Sequence, residues 1–230
     1  MNAGENFARK SLPMNIENLR RKARDGSLEV EHLLEAAAKG LPGLSEELAR
    51  LTEEQHWQSH RLQSDGSRVV PLRKWAQVVA AYSSDGFEGL RALATRREDA
   101  PFVLGLIETL RTPASVSFAL ELADHYLANM VVFEEAALCL ARSFNLLLSF
   151  KDAPTITSLQ AEDVQRFLFK IYPYADSQGV KAVVLLALRG VGDREALKFV
   201  ESVDNFAEPW AGTKDIVIRT IWKRIKSKTP

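Results

Sequence analysis

The chain has 230 residues, 46% of them hydrophobic, and its 30 Lys and Arg balance its 30 Asp and Glu. This is enough chain to bury a real core, in one elongated domain or two small ones, and zero net charge sets up no global field toward nucleic acid or a membrane surface. A single cysteine excludes an internal disulfide framework and a thiolate metal site.

In chain order, residues 1–14 lack an apolar signal region and read as a flexible tail. From residue 15 onward the periodicity is helical. Helices are predicted at 15–25, 28–39, 44–62, 70–82, 86–97, 101–111, 113–128, 132–150, 160–172, 177–189, 193–203 and 213–227. Within 69–82, for example, Val69, Leu72, Trp75, Val78, Val79 and Tyr82 recur every three or four residues, as one face of a helix requires. Asp-Gly pairs at 25–26, 65–66 and 85–86 mark places where one helix ends and the next begins. Thr112 precedes Pro113 as a cap precedes a first turn, and Asp85 with Glu88 and Thr52 with Gln55 have capping-box spacing. Cys139 lies in the helical stretch EEAALCLARSF and reads as an inert core thiol.

Most connections are short, so neighbouring helices are predicted to be antiparallel hairpins. The longest break, KDAPTITSLQ at 151–160, is a candidate division within one helical-repeat domain spanning 15–230. No apolar run is long enough for a membrane span, so the expectation is a cytoplasmic protein with no membrane partner.

The stretch VKAVVLLALRGVGDREALKFV, 180–200, ends one helix at Gly190 and Gly192 and starts another at Asp193. Both glycines are predicted to take left-handed conformations that turn a tight corner, with Asp193 capping the following helix. The apolar set Val180, Val183, Val184 and Ala187 reappears 38 residues later as Ile218, Ile221, Trp222 and Ile225, and more weakly 47 residues earlier as Phe133, Ala136, Ala137 and Leu140. Such spacings fit two-helix repeats. Residues 180–193 resemble the second helix and turn of a short bacterial HEAT repeat: Val180, Lys181, Ala187, Leu188, Val191, Gly192 and Asp193 match that pattern, whereas Val184, Leu185 and Arg189 depart from it. The resemblance implies an all-α fold, a right-handed α-solenoid of stacked antiparallel helix pairs of the HEAT/armadillo kind. It also implies a binding surface lined by one helix of each pair.

Candidate chemistry is sparse. His56 and His60 are four apart, but Trp57 and Gln58 follow His56 where an HExxH motif requires Glu and a spacer, so they read as a polar helix face and not a metal site. His125 follows Asp124, but sequence neighbours on a helix point apart and no serine has a nucleophile-elbow context. Gly190 and Gly192 form no phosphate-loop motif. Catalytic, cofactor-binding and metal-binding residues are therefore all predicted to be absent.

Charge is segregated: 9–24 and 214–228 each hold six bases and one acid, and 29–54 hold seven acids and two bases. The basic ends read as solvated faces favourable to helix C-termini, so nucleic acid is disfavoured. Residues 108–135 hold five acids against Arg111 alone, a stretch suited to steering a basic partner. In 113–128 the stripe Val116, Ala119, Leu120, Ala123 and Leu127 is predicted to be buried, which places Glu121, Asp124 and His125 on the opposite side. If this helix is the second of its pair, that side faces the groove. Trp75 and Trp222 are predicted to be core, and Trp210, in the loop after Pro209, is a candidate anchor. Glu121, Asp124, His125 and Trp210 are thus the predicted partner-binding residues.

The size and layout are similar to those of small bacterial immunity proteins and adaptors of HEAT type. The expected function is a non-catalytic protein-binding module that sequesters another protein, such as a toxin or a basic protein. The alternative is a HEAT-like DNA glycosylase or another enzyme acting on nucleic acid.

Overall fold

The computed structural model describes residues 14–53, 60–62 and 69–228, and these form an all-α fold with one antiparallel pair of three-residue strands. Contacts divide the chain into two units, with the boundary in sequence between Gly86 and Phe87. The candidate division at 151–160 lies inside the second unit. Of the predicted tail, only Met14 falls among the described residues, and it is buried.

The first unit begins with α1 (Ile16–Arg24), whose first turn is closed by the Asn15 side chain accepting from the Asn18 N–H at 2.8 Å. α2 (Val30–Ala38) and α3 (Leu44–Glu53) follow, and Leu19, Leu33, Leu48 and Leu51 form a core with almost no exposure. Of the predicted helix 44–62, the described part is α3 up to Glu53 and then residues 60–62, which are a strand. Thr52, within α3, donates its hydroxyl to the Leu48 carbonyl at 2.8 Å. Strand β1 (His60–Leu62) then pairs with β2 (Val69–Pro71), and α4 starts at Leu72. The Asp65-Gly66 pair thus separates two strands, not two helices, and the β-branched Val69 and Val70 favour the extended form. The pair Thr52–Gln55 and the residues His56 and Trp57 fall partly or wholly outside the described residues.

α1 and α3 are joined by an ion cluster. Arg20 donates to the Glu47 carboxylate at 2.7 and 3.1 Å, and Arg50 approaches the same carboxylate from one turn farther along α3. Glu47 is buried, while both arginines keep one side toward solvent. The Arg20 hydrogen bonds, aided by Arg50, hold the Glu47 carboxyl at about 2 although burial pushes it up.

α4 (Leu72–Ala94) is broken at Asp85 and Gly86, the latter at φ +62, where residues other than glycine are strained. The predicted boundary between 70–82 and 86–97 is this break. In the second unit the remaining helices are α5 (Ala100–Leu110), α6 (Pro113–Ala128), α7 (Met130–Leu148), α8 (Ser158–Ile171), α9 (Gln178–Val191), α10 (Arg194–Ser202) and α11 (Thr213–Lys228). Starts are set by side chains: Thr112 accepts from the Ser115 N–H at 3.1 Å, Thr157 from Gln160 at 3.1 Å, and Asp193 from Glu195 and Ala196 at 2.8 and 3.1 Å. Two sets of contacts run through this unit. α5 packs on α7, α7 on α9, and α9 on α11; α6 packs on α8, and α6, α8 and α10 pack on α7, α9 and α11 respectively.

The most extensive of these interfaces is α7 with α9. The two helices approach closely there: a Cβ on Gly190 would lie 2.2 Å from the Leu148 carbonyl oxygen. Gly192 sits at φ −54 and ψ 140, and a Cβ there would lie 2.7 Å from Ile221 Cδ1. Neither glycine is among the residues at positive φ. The left-handed corner predicted for Gly190 and Gly192 is therefore corrected: these positions need glycine because neighbouring helices leave no room for a side chain.

Two measurements check this description. Glu47 has a folded pKa below its ordinary value of 4.5, so its contribution is fully present above pH 4.5 and is lost as pH falls toward 2. Glu47→Gln is expected to lower stability at neutral pH by about 1–3 kcal/mol, the smaller end reflecting half-exposed arginines that water can resolvate. It should also flatten the fall in stability between pH 4.5 and 2, as urea unfolding at several pH values would show. Gly190→Ala is expected to destabilise by about 2–4 kcal/mol, because the α7 backbone cannot yield as a side chain would. Thermal unfolding of the variant measures it.

Candidate functional site

The acidic residues singled out in 108–135 come from α5, α6 and α7. On α6 the buried face is wider than predicted: Ser115, Phe118, Leu122 and Tyr126 join Val116, Ala119 and Ala123, while Leu120 and Leu127 are half-buried. Tyr126 is fully buried, and its hydroxyl donates to the Ala94 carbonyl at 3.1 Å. Beyond the helix ends, Ser117, Glu121 and Asp124 remain exposed. α6 packs mainly on α7, and also on α8 and α5.

Glu121 accepts from Arg91 at 2.6 Å, and Arg91 also binds Glu88 at 2.7 Å and lies 5.9 Å from the Phe118 ring centre. Much of the Glu121 charge is thereby answered within the chain. Asp124 is exposed, but His125 turns inward. Its ring meets Phe133 edge-on at 5.2 Å and Tyr126 at 5.8 Å, and its Nε2 is buried. Glu121 and Asp124 thus share an exposed face that His125 only half joins.

Beyond His125, the α6–α7 corner carries Val131, fully exposed, and Val132, 52% exposed, followed by exposed Glu134 and Glu135. Glu135 has Arg97 at 3.7 Å. The apolar valines are bracketed in sequence by Asp124 on one side and Glu134 and Glu135 on the other. Sequence reasoning passed over these valines, although four consecutive apolar residues at 130–133 cannot all face one side of a helix.

Trp210 lies elsewhere, in the loop between α10 and α11. Its ring covers the first turn of α9, within 3.4 Å of where a Gly179 Cβ would sit, and the Gln178 side chain accepts from the Ala207 N–H at 2.9 Å. The ring is half-buried, so one side of it plugs the structure.

Trp222, predicted to be core, is 43% exposed, as is Ile216 on the same helix. α11 has apolar residues at 216, 217, 218, 221, 222 and 225, more than one stripe can bury; Val217 and Ile221 point inward, and Ile216 and Trp222 are left out. Arg219, Trp222, Lys223 and Lys226 line one depression on this helix. Lys223 also lines a second of about 330 Å³, with Phe150, Arg189 and Arg224.

Between neighbouring helices polar links recur. Ser143 donates to Glu108 at 2.8 Å, Arg189 donates to Asn145 at 3.1 Å, and Arg111 pairs with Asp152 at 2.8 Å. Burial pushes the Glu108 carboxyl up, against the Ser143 hydrogen bond. Cys139 is half-buried, more open than the core thiol predicted. Among the described residues, no three His, Cys, Asp or Glu side chains gather as a metal set, and no helix is long and apolar enough to cross a membrane. No family model, curated protein or solved structure matches the chain.

Because Trp210 packs on α9, Trp210→Ala is expected to cost about 1–2 kcal/mol of stability, less than a fully buried tryptophan would. Urea unfolding measures it, and an unchanged midpoint would mean that the ring is held only by solvent-facing contacts.

Proposed function

We propose that the chain is a non-catalytic protein-binding module, an adaptor or an inhibitor of immunity-protein type, whose second unit is a right-handed α-solenoid of HEAT kind. The solenoid reading is supported by the two sets of contacts, α5–α7–α9–α11 and α6–α8, in which each helix touches its neighbours along the set. The observation that carries the binding reading is the α6–α7 corner. Val131 and Val132 are apolar and exposed, and Asp124, Glu134 and Glu135 surround them in sequence with negative charge. An apolar centre with a charged rim is how a protein interface is built. The sign of the charge selects a basic partner, and long-range attraction speeds its encounter. Glu121 contributes less than Asp124, because Arg91 already holds it. Trp210 is a secondary contact at most, since one face is spent on α9.

The test is native affinity capture followed by light scattering and binding kinetics. One protein should co-purify at fixed stoichiometry. Reversing Asp124 and Glu134 to Lys should leave folding nearly unchanged, since exposed charges contribute little to stability, while association slows at low salt and converges on wild type as salt screens the field. No stoichiometric protein partner, or a wild-type rate for the reversed variant at low salt, would contradict the reading.

A further inference from the structure

The described surface of α11 carries a second, chemically opposite feature. Phe150, just after α7, is 47% exposed and lines the depression of about 330 Å³ together with Arg189 of α9 and Lys223 and Arg224 of α11. No carboxylate is among the described residues that line it. Arg189 is held in place by neutral acceptors, the Leu186 carbonyl and the Asn145 side-chain oxygen, both at 3.1 Å. Burial pushes both guanidinium groups down from their ordinary value, and for Arg224 the charge of Asp193 opposes this only in part. These are cations partly stripped of water and not neutralised by a bound acid. Lys223 also lines the neighbouring depression with Trp222, so the two share a wall.

We propose that this surface, from Phe150 across Lys223 to Trp222, binds single-stranded nucleic acid. The cations would take the phosphates and the two exposed rings would stack on bases. Paired exposed aromatics flanking cations are what a flexible strand with free bases can use. A duplex offers phosphates but keeps its bases stacked internally, and an acidic peptide would meet the cations and leave the rings unused. The basic run 214–228 was legible in the sequence as a solvated face; the exposure of Trp222 and Phe150 beside its cations was not. The proposal is independent of the protein-binding reading, which rests on the α6–α7 corner.

The experiment is fluorescence anisotropy of the full chain with a labelled oligothymidylate of about 12 nucleotides, within the usual footprint of such surfaces. Affinity is expected to fall with salt with a log–log slope of about −2, for three phosphates neutralised. Trp222→Ala is expected to weaken binding about tenfold by removing one stacking platform. Lys226→Glu, at an exposed position, should weaken it while leaving the melting temperature unchanged. If Trp222→Ala melts early, tryptophan emission of the wild-type chain decides: it should be quenched by the oligonucleotide, and the quench should be lost in Trp222→Phe. The proposal is overturned by no binding at low salt, by a quench that survives in Trp222→Phe, by wild-type affinity of Lys226→Glu, or by equal affinity for a duplex of the same length. Polyglutamate binding as tightly as the oligonucleotide would assign the surface to acidic protein instead and also overturn it.

Discussion

The close approach of α7 and α9 is the constraint on which the second unit depends. Leu148 presents a backbone carbonyl where Gly190 has no side chain, and that oxygen cannot move aside as a side-chain atom would. The fit lets Leu140, Phe144 and Leu147 of α7 and Leu185 and Leu188 of α9 become wholly buried. Packing at interior density leaves no slack for an added methyl group. With that pair fixed, α5 packs on α7 and α11 on α9. Gly192 repeats the device on a smaller scale against Ile221.

Polar groups along these interfaces reinforce the packing and are themselves ordered by it. Asn145 accepts from Arg189 and Glu108 accepts from Ser143, so the α7–α9 and α5–α7 pairs each have a directional link in addition to their apolar contacts. Half-buried polar groups that find partners add little net stability but penalise any slip that leaves them unsatisfied. In the first unit Glu47 performs this service between α1 and α3, at the price of a carboxylate that acid can protonate. At the surface, Glu121 finds its partner in Arg91, whereas Asp124 stands exposed on the same helix.

Helix positions were legible because apolar spacing and capping residues agree. Thr112 and Asp193, read as caps, each close a first turn, and so does Thr157, which lay within the stretch read as a break. The break at 85–86 was legible from Asp-Gly. The strand pair around the similar Asp-Gly at 65–66 was not, because a three-residue strand is too short to show alternation. The roles of Gly190 and Gly192 could not be read from sequence at all, since a requirement for space depends on which helix lies opposite. The same holds for the candidate sites. Exposure of Glu121 and Asp124 followed from the stripe on α6, but the Arg91 partner of Glu121 comes from a helix some thirty residues earlier. Trp222 was misplaced because its apolar spacing matches a buried pattern that Val217 and Ile221 already satisfy.

α7 packs against α5, α6, α8 and α9, whereas α11 packs against α9 and α10, so the helices should differ in stability according to how much of each is covered. Native-state hydrogen exchange, resolved by helix, tests this most directly. The slowest amides are expected in α7 and α9, opening together, with α11 exchanging earlier. Slowest exchange in α11, or independent opening of α7 and α9, would contradict the central place given to the Leu148–Gly190 contact.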